Sequence, residues 1–152
     1  MQTRHPVTLL VAIAFALSGA GACRRAPAPA GPLVAVDDAG DTVRLAGPAH
    51  RVVSLIPAAT ELLFSIDAGG QLVGRTRWCD YPAAAASVPD VGDGIDPNLE
   101  TIVATHPDLV ILYHSGQNGR AAERLRALRI PALRVRSDRP ADVPRLATLD
   151  RK

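Results

Sequence analysis

The sequence predicts an α/β lobe: a parallel sheet flanked by helices, preceded by an N-terminal β-hairpin. Three observations carry this. Short apolar runs alternate with helical patterns from Arg51 onward, which is the signature of strands joined by helical crossovers. Leu109–Tyr113 is apolar without interruption, as expected of a strand buried on both faces. Leu33–Val36 and Thr42–Leu45 flank an Asp- and Gly-rich turn at residues 37–41, which is the pattern of a hairpin.

After the hairpin, Arg51–Leu55 reads as the first strand of the sheet. Pro57–Ala68 follows as a helix with Leu62, Leu63 and Ile66 on one face, and Gly69-Gly70 ends it as a C-cap. Leu72–Gly74 is the second strand. Asn98 reads as the N-cap of a short helix whose inward residues are Leu99, Ile102 and Val103, and Pro107 stops it. Gly119–Leu128 is helical, with Ala121, Ala122, Leu125 and Leu128 on one side, and Pro131–Val135 is the last strand. Asp142–Leu149 has the pattern of a further helix. Right-handed crossovers place all strand C-termini on one rim, where ligands of open α/β sheets bind.

The 152 residues amount to one domain, and 47% of them are hydrophobic, enough for a core. A net charge of +2 implies no strong polyanion field. The N-terminus has a separate logic. Arg4 and His5 precede an apolar run from Val7 to Leu17, followed by small residues up to Cys23. This is the pattern of a secretory signal peptide over residues 1–22, with a run too short to span ~30 Å of hydrocarbon. Ala20-Gly21-Ala22 fits an ordinary signal-peptidase site, and Cys23 directly after it fits a lipobox, in which the thiol is acylated. Ala20 stands where lipoproteins more often carry Leu. Residues 23–32 are rich in Ala and Pro and read as an extended spacer. The expected product is an exported protein, periplasmic or anchored to the membrane through Cys23, with the lobe over residues 33–152. A lipidated Cys23 leaves Cys79 as a buried small hydrophobe or the partner of a cysteine outside this sequence.

The five aromatics are informative because they are so few. Phe15 lies in the signal and Phe64 on a core helix. Trp78, Tyr81 and Tyr113 fall beyond a strand or at its C-terminal end, a placement that favours a flat ligand surface over core filling. No catalytic or metal constellation accompanies them: there is no G-x-S-x-G, H-E-x-x-H, P-loop or C-x-x-C, and the four histidines are scattered. Asp90, Asp93, Asp96 and Glu100 do not match an EF-hand and read as a solvated loop entering a helix. His106 is expected to cap helix carbonyls, and His114 reads as an exposed loop residue. The arginines at 120, 124, 126, 129, 134 and 136 read as a solvated face, without the interleaved aromatics of a nucleic-acid surface.

Residues 51–82, RVVSLIPAATELLFSIDAGGQLVGRTRWCDYP, and 90–112, DVGDGIDPNLETIVATHPDLVIL, resemble the helical-backbone periplasmic binding proteins for cobalamin, heme and ferric siderophores. The segment VDDAGDTVRLAGPAHRVVSL looks like that family's opening hairpin, and the likeness runs over about residues 33–137 in the same order of elements. The resemblance implies two α/β lobes joined by a long helix, with ligand in the cleft between them. Of these, this sequence is expected to carry the N-terminal lobe, without the second. Trp78-Cys79-Asp80-Tyr81-Pro82 looks most like the cobalamin branch. It implies that Ala58, Trp78 and Tyr113 contact ligand, while Gly94 stands where a cobalamin binder carries a Trp. It also implies that Glu100 docks on arginines of an ABC permease. The function expected is that of a monomeric binding component that delivers cobalamin to an importer, without catalysis or a cofactor of its own. Heme, with Tyr113 as an axial ligand, or a ferric siderophore is the alternative within the same fold. A small α/β hydrolase is the alternative outside it.

Overall fold

A computed structural model describes residues 31–138. The expected signal peptide, most of the spacer with Cys23, and the helix expected at Asp142–Leu149 lie outside the described residues.

The hairpin forms from β1 (Leu33–Val36) and β2 (Thr42–Leu45), paired antiparallel with Leu33 opposite Leu45. The strands β3 (Val52–Ser54), β4 (Leu72–Arg75), β5 (Leu109–Tyr113) and β6 (Ala132–Val135) make one sheet in the order β4-β3-β5-β6, and every pair in it is parallel. Helices α1 (Pro57–Ser65), α2 (Leu99–Ala104) and α3 (Gly116–Ala127) connect successive strands. Crossovers from β3 to β4 and from β5 to β6 run in opposite directions across the sheet, so the same handedness places α1 on one face and α3 on the other. The order of strands reverses between β3 and β5, which makes that boundary the switch point.

Side-chain alternation divides the core accordingly. Val52, Leu109, Ile111, Leu133 and Val135 point to the α1 face, where they join Ile56, Ala59 and Val43 of the hairpin. Val53, Val110, Leu112 and Ala132 point to the other face and meet Ile102 of α2 and Ala121, Ala122 and Leu125 of α3. Ile102, Leu112 and Leu125 have no exposed surface; burying a side chain of that size contributes about 1.5–3 kcal/mol. The continuous apolar pattern of β5 is thus the consequence of cover on both sides.

Local chemistry sets the helix ends. Asn98 caps α2, its Oδ1 accepting from the amides of Glu100 (3.0 Å) and Thr101 (3.2 Å). Ser115 caps α3 through the Asn118 amide (3.2 Å), so α3 begins three residues before the expected Gly119. Pro57 opens α1, where its missing N–H costs nothing.

Several expectations are corrected. Helix α1 ends at Ser65 rather than Ala68, and Asp67 takes the left-handed conformation (φ 61°) assigned to the glycines. Gly69 is needed for a different reason: a Cβ there would collide with the Phe64 ring. Ile66 and Leu128, expected inward, are exposed because each lies just past its helix end. His106 turns the chain at φ 49° and caps α2 through its backbone, its amide donating to the Val103 carbonyl at 2.9 Å. The carbonyls of Thr105 and His106 are taken by the Arg51 guanidinium, at 2.6 and 2.9 Å. The Asp108 carboxylate receives the His50 and Arg51 amides at 2.8 and 2.9 Å, which fastens the start of β3 beside the start of β5.

The arginines also divide. Arg134 is not on a solvated face: it and Arg126 bind Asp37 and Asp41 in the hairpin turn. The Asp37 carboxylate is fully buried and accepts from the Ala39 and Asp41 amides at 3.0 and 2.8 Å. One acidic turn therefore both closes the hairpin and attaches it to β6.

Candidate functional site: the C-terminal rim of the sheet

The rim starts from a tight turn after β4. The Cys79 amide donates to the Thr76 carbonyl at 3.0 Å. Both ends of that turn are buried, and the Cys79 thiol lies 3.2 Å from Thr76 Oγ1 and 3.9 Å from the Ser54 carbonyl. With its ends held inward, the turn sends Arg77 and Trp78 outward. Trp78 is 64% exposed and Tyr81, before Pro82 in a cis peptide, is 68% exposed. Cys79 is thereby the buried small residue that the sequence allowed, a free thiol that fixes the base of the tryptophan turn.

The chain then doubles back beside β4. The Arg75 amide donates to the Pro89 carbonyl (2.9 Å), and the Val91 amide donates to the Arg75 carbonyl (2.8 Å). The Arg75 side chain holds the preceding turn through the Ala85 carbonyl at 2.8 Å. Asp90 and Asp93 stay at the surface and accept from the Gly92 and Ile95 amides (2.8 and 2.7 Å), shaping the loop rather than forming a cation site. Among the described residues no group of three or more His, Cys, Asp or Glu could hold a metal.

At the switch point, Asn118 is buried in the first turn of α3. Its Nδ2 donates to the Gly94 carbonyl (3.1 Å) and the Tyr113 carbonyl (3.0 Å). A Cβ on Gly94 would collide with the Leu55 carbonyl oxygen at the end of β3. The loop therefore fills the place between β3 and β5, and the Trp that the resemblance allows at this position has no room in this backbone.

The expected site residues fall as follows. Tyr113 is the last residue of β5 and is 37% exposed. Trp78 lies three residues beyond β4. Ala58 is in the first turn of α1, half-buried against the core on the α1 face. Glu100 is exposed in the first turn of α2, and helices antiparallel to their strands place that turn on the rim side. His114 is half-buried, with Nδ1 lacking a hydrogen-bond partner among the described residues. Sequence reasoning missed Ile95, which is 68% exposed beside Gly94, and Asn118. A lone Ile in an acidic loop gives no period to read. An Asn in the first helical turn signals a cap before it signals a bracket.

With this geometry in view, the chain can be placed. The profile of the family described as periplasmic binding protein matches residues 52–149, and the chain belongs to that family. It is 36% identical over 106 residues to the vitamin B12-binding protein of Pectobacterium carotovorum subsp. carotovorum, an alignment covering 67% of this chain and 38% of that one. Among solved structures it is similar to the periplasmic vitamin B12 binding protein BtuF of Vibrio cholerae. That match has 33% identity and a TM-score of 0.52, and covers 57% of this chain and 34% of the other. The heme binding protein HmuT shares the fold, with a TM-score of 0.68 at 24% identity over 82% of this chain and 42% of its own. The chain spans about two fifths of the length of the curated relatives it matches first.

Proposed function

We propose that the chain is a solute-binding component of an ABC importer, presenting the N-terminal wall of a ligand cleft, and that its ligand is a corrinoid of the cobalamin type. The observation that carries this reading is the rim itself. Four large apolar side chains, Trp78, Tyr81, Ile95 and Tyr113, stand exposed on loops and a strand end at the C-terminal side of one sheet. Aromatic side chains held outward by buried turn ends suit a broad flat ligand, because they offer apolar area with few torsions to order. The relatives named for vitamin B12 favour the corrin among such ligands. Ala58, at the start of α1, completes the wall.

In this reading Glu100 docks on arginines of the permease, and Cys23, behind the export signal, carries the lipid anchor. The protein performs no catalysis. Beneath the rim the Ser54 and Thr60 hydroxyls bond to one another (2.9 Å) and the Cys79 thiol bonds to Thr76, and none of these contacts involves a histidine base. Heme is the second reading, favoured by one observation: Tyr113 ends its strand with its side chain partly exposed, and a phenolate can ligate heme iron.

Equilibrium dialysis of the chain against cyanocobalamin and against hemin tests the assignment. Retention of cyanocobalamin, reduced in Trp78→Ala, is expected. Retention of hemin alone, with a shifted Soret band lost in Tyr113→Phe, would move the assignment to heme.

A further inference from the structure

The switch point of an open α/β sheet is ordinarily a crevice, because the loops leaving the two central strands turn to opposite faces. Here β3 and β5 are those strands. The loop leading from β4 to α2 lies in that crevice, with Gly94 so close to the Leu55 carbonyl that no side chain fits. One carboxamide fastens it. The Asn118 Nδ2 group has two protons, and it donates to the Gly94 and Tyr113 carbonyls at 3.1 and 3.0 Å. Asn118 is 1% exposed, and it is itself fixed by the α3 N-cap, through its amide to Ser115 Oγ.

The two carbonyls it binds belong to rim positions that matter. Tyr113 carries an exposed ring at the end of β5, and Gly94 precedes Ile95, an exposed apolar side chain. A single buried side chain thus sets the spacing between the backbone under Ile95 and the backbone under Tyr113. Two donors on one planar group impose both distances together, whereas a hydroxyl has only one proton to give.

We propose that Asn118 is a positioning residue for ligand binding, and that with Gly94 it turns the switch-point crevice into a floor. A ligand then lies across the rim, on Trp78, Ile95 and Tyr113, and inserts no group between β3 and β5. This specificity for a broad flat ligand rests on the solute-binding reading above, though the bracket itself does not.

The test has two arms on the 152-residue chain. In the first, amide hydrogen exchange is compared between wild type, Asn118→Ala and Asn118→Asp. Asp is isosteric but presents carboxylate oxygens to two carbonyls. Residues 92–96 are expected to exchange at least ~10-fold faster in both variants while β3 and β5 keep their protection, a subglobal opening. Unchanged exchange in that loop would overturn the bracket whatever the ligand.

In the second arm, cyanocobalamin is titrated and followed by Trp78 emission. Asn118→Ala is expected to weaken binding about 10-fold, and the Asn118→Ala/Ile95→Ala double variant no more than Ile95→Ala alone, because both changes remove the same contact. Additive losses, or an unchanged dissociation constant beside a lowered Tm, would make Asn118 merely structural and overturn the positioning role. Absence of quenching in wild type for both cyanocobalamin and hemin would overturn the solute-binding reading and the positioning role with it, and the exchange arm would still decide the bracket.

Discussion

Arg134 Nε lies 3.3 Å from Oδ2 of the fully buried Asp37 carboxylate, and this pair fixes the hairpin to the last strand of the sheet. The carboxylate also receives the Arg134 amide at 3.3 Å and Arg126 Nη2 at 3.5 Å. Removing it leaves the Ala39, Asp41 and Arg134 amides without their acceptor, while the Arg126 and Arg134 guanidiniums keep only Asp41. Breaking a buried pair costs about 3–5 kcal/mol. Both guanidiniums keep Asp41 as a partner, so Asp37→Ala is expected below that range, at about 2–3 kcal/mol. For a domain of this size that is a fall in Tm of roughly 10–20 °C, measurable by thermal unfolding. A change of under a few degrees would show that the hairpin attaches by its apolar face alone.

Asp41 carries the pH dependence of the same junction. Its hydrogen bond to Arg126 is the chief cause that holds its carboxyl below the usual carboxylate range, with the charges of Arg126 and Arg134 adding to it against some desolvation. A carboxyl whose pKa is lower folded than unfolded stabilises fully above its unfolded value, near ~3.9, and loses that contribution as pH falls through the folded value. Thermal unfolding of wild type and Asp41→Asn should therefore differ at neutral pH and converge below about pH 4. A difference that persists unchanged down to pH 2 would assign the effect to shape rather than charge.

Two glycines should respond oppositely to alanine. Gly94→Ala forces the Cβ against a backbone carbonyl that cannot swing away, and overpacking of this kind costs about 1–3 kcal/mol. Gly116, the first residue of α3, has open space around a Cβ, so Gly116→Ala should stabilise by about 0.4–1 kcal/mol through the unfolded state. Urea denaturation of the two variants checks both signs. Equal effects would mean that the loop at 92–96 is free to move away from β3.

Much of this arrangement was legible in the sequence. The apolar run of β5, the hairpin turn and the Asn98 cap are local signals, and each formed where its pattern lies. Trp78 and Tyr113 were readable as rim residues because parallel strands share one C-terminal edge and aromatics are scarce. What was not legible is what depends on distant partners. The arginine-rich stretch looked solvated because its acidic partners lie some ninety residues earlier, in the hairpin turn. The end of α1 looked like a glycine cap because nothing local says that Asp67 will take the left-handed place and that Phe64 will lie over Gly69. Asn118 is a bracket only once β5 and the 92–96 loop converge on it.

Glu100 separates docking from binding. It is exposed, and its amide rather than its carboxylate makes the capping contact. Glu100→Ala should change stability by less than ~0.5 kcal/mol and leave cyanocobalamin affinity unchanged. Uptake of cyanocobalamin by cells that depend on this protein should fall, since truncating one partner of an interfacial charge pair typically costs about 2–5 kcal/mol. Lost affinity with intact uptake would place Glu100 in the ligand site instead.

Trp78 emission offers the most direct measurement of the central claim, that the rim is the ligand surface. It is the only tryptophan in the chain, so its fluorescence reports this turn alone. Cyanocobalamin absorbs where tryptophan emits, and its binding on the rim should quench that emission saturably. The account predicts saturable quenching, weakened by Tyr113→Ala. Emission that, once corrected for inner-filter absorption, does not change up to millimolar cyanocobalamin, with the same result for hemin, would contradict it.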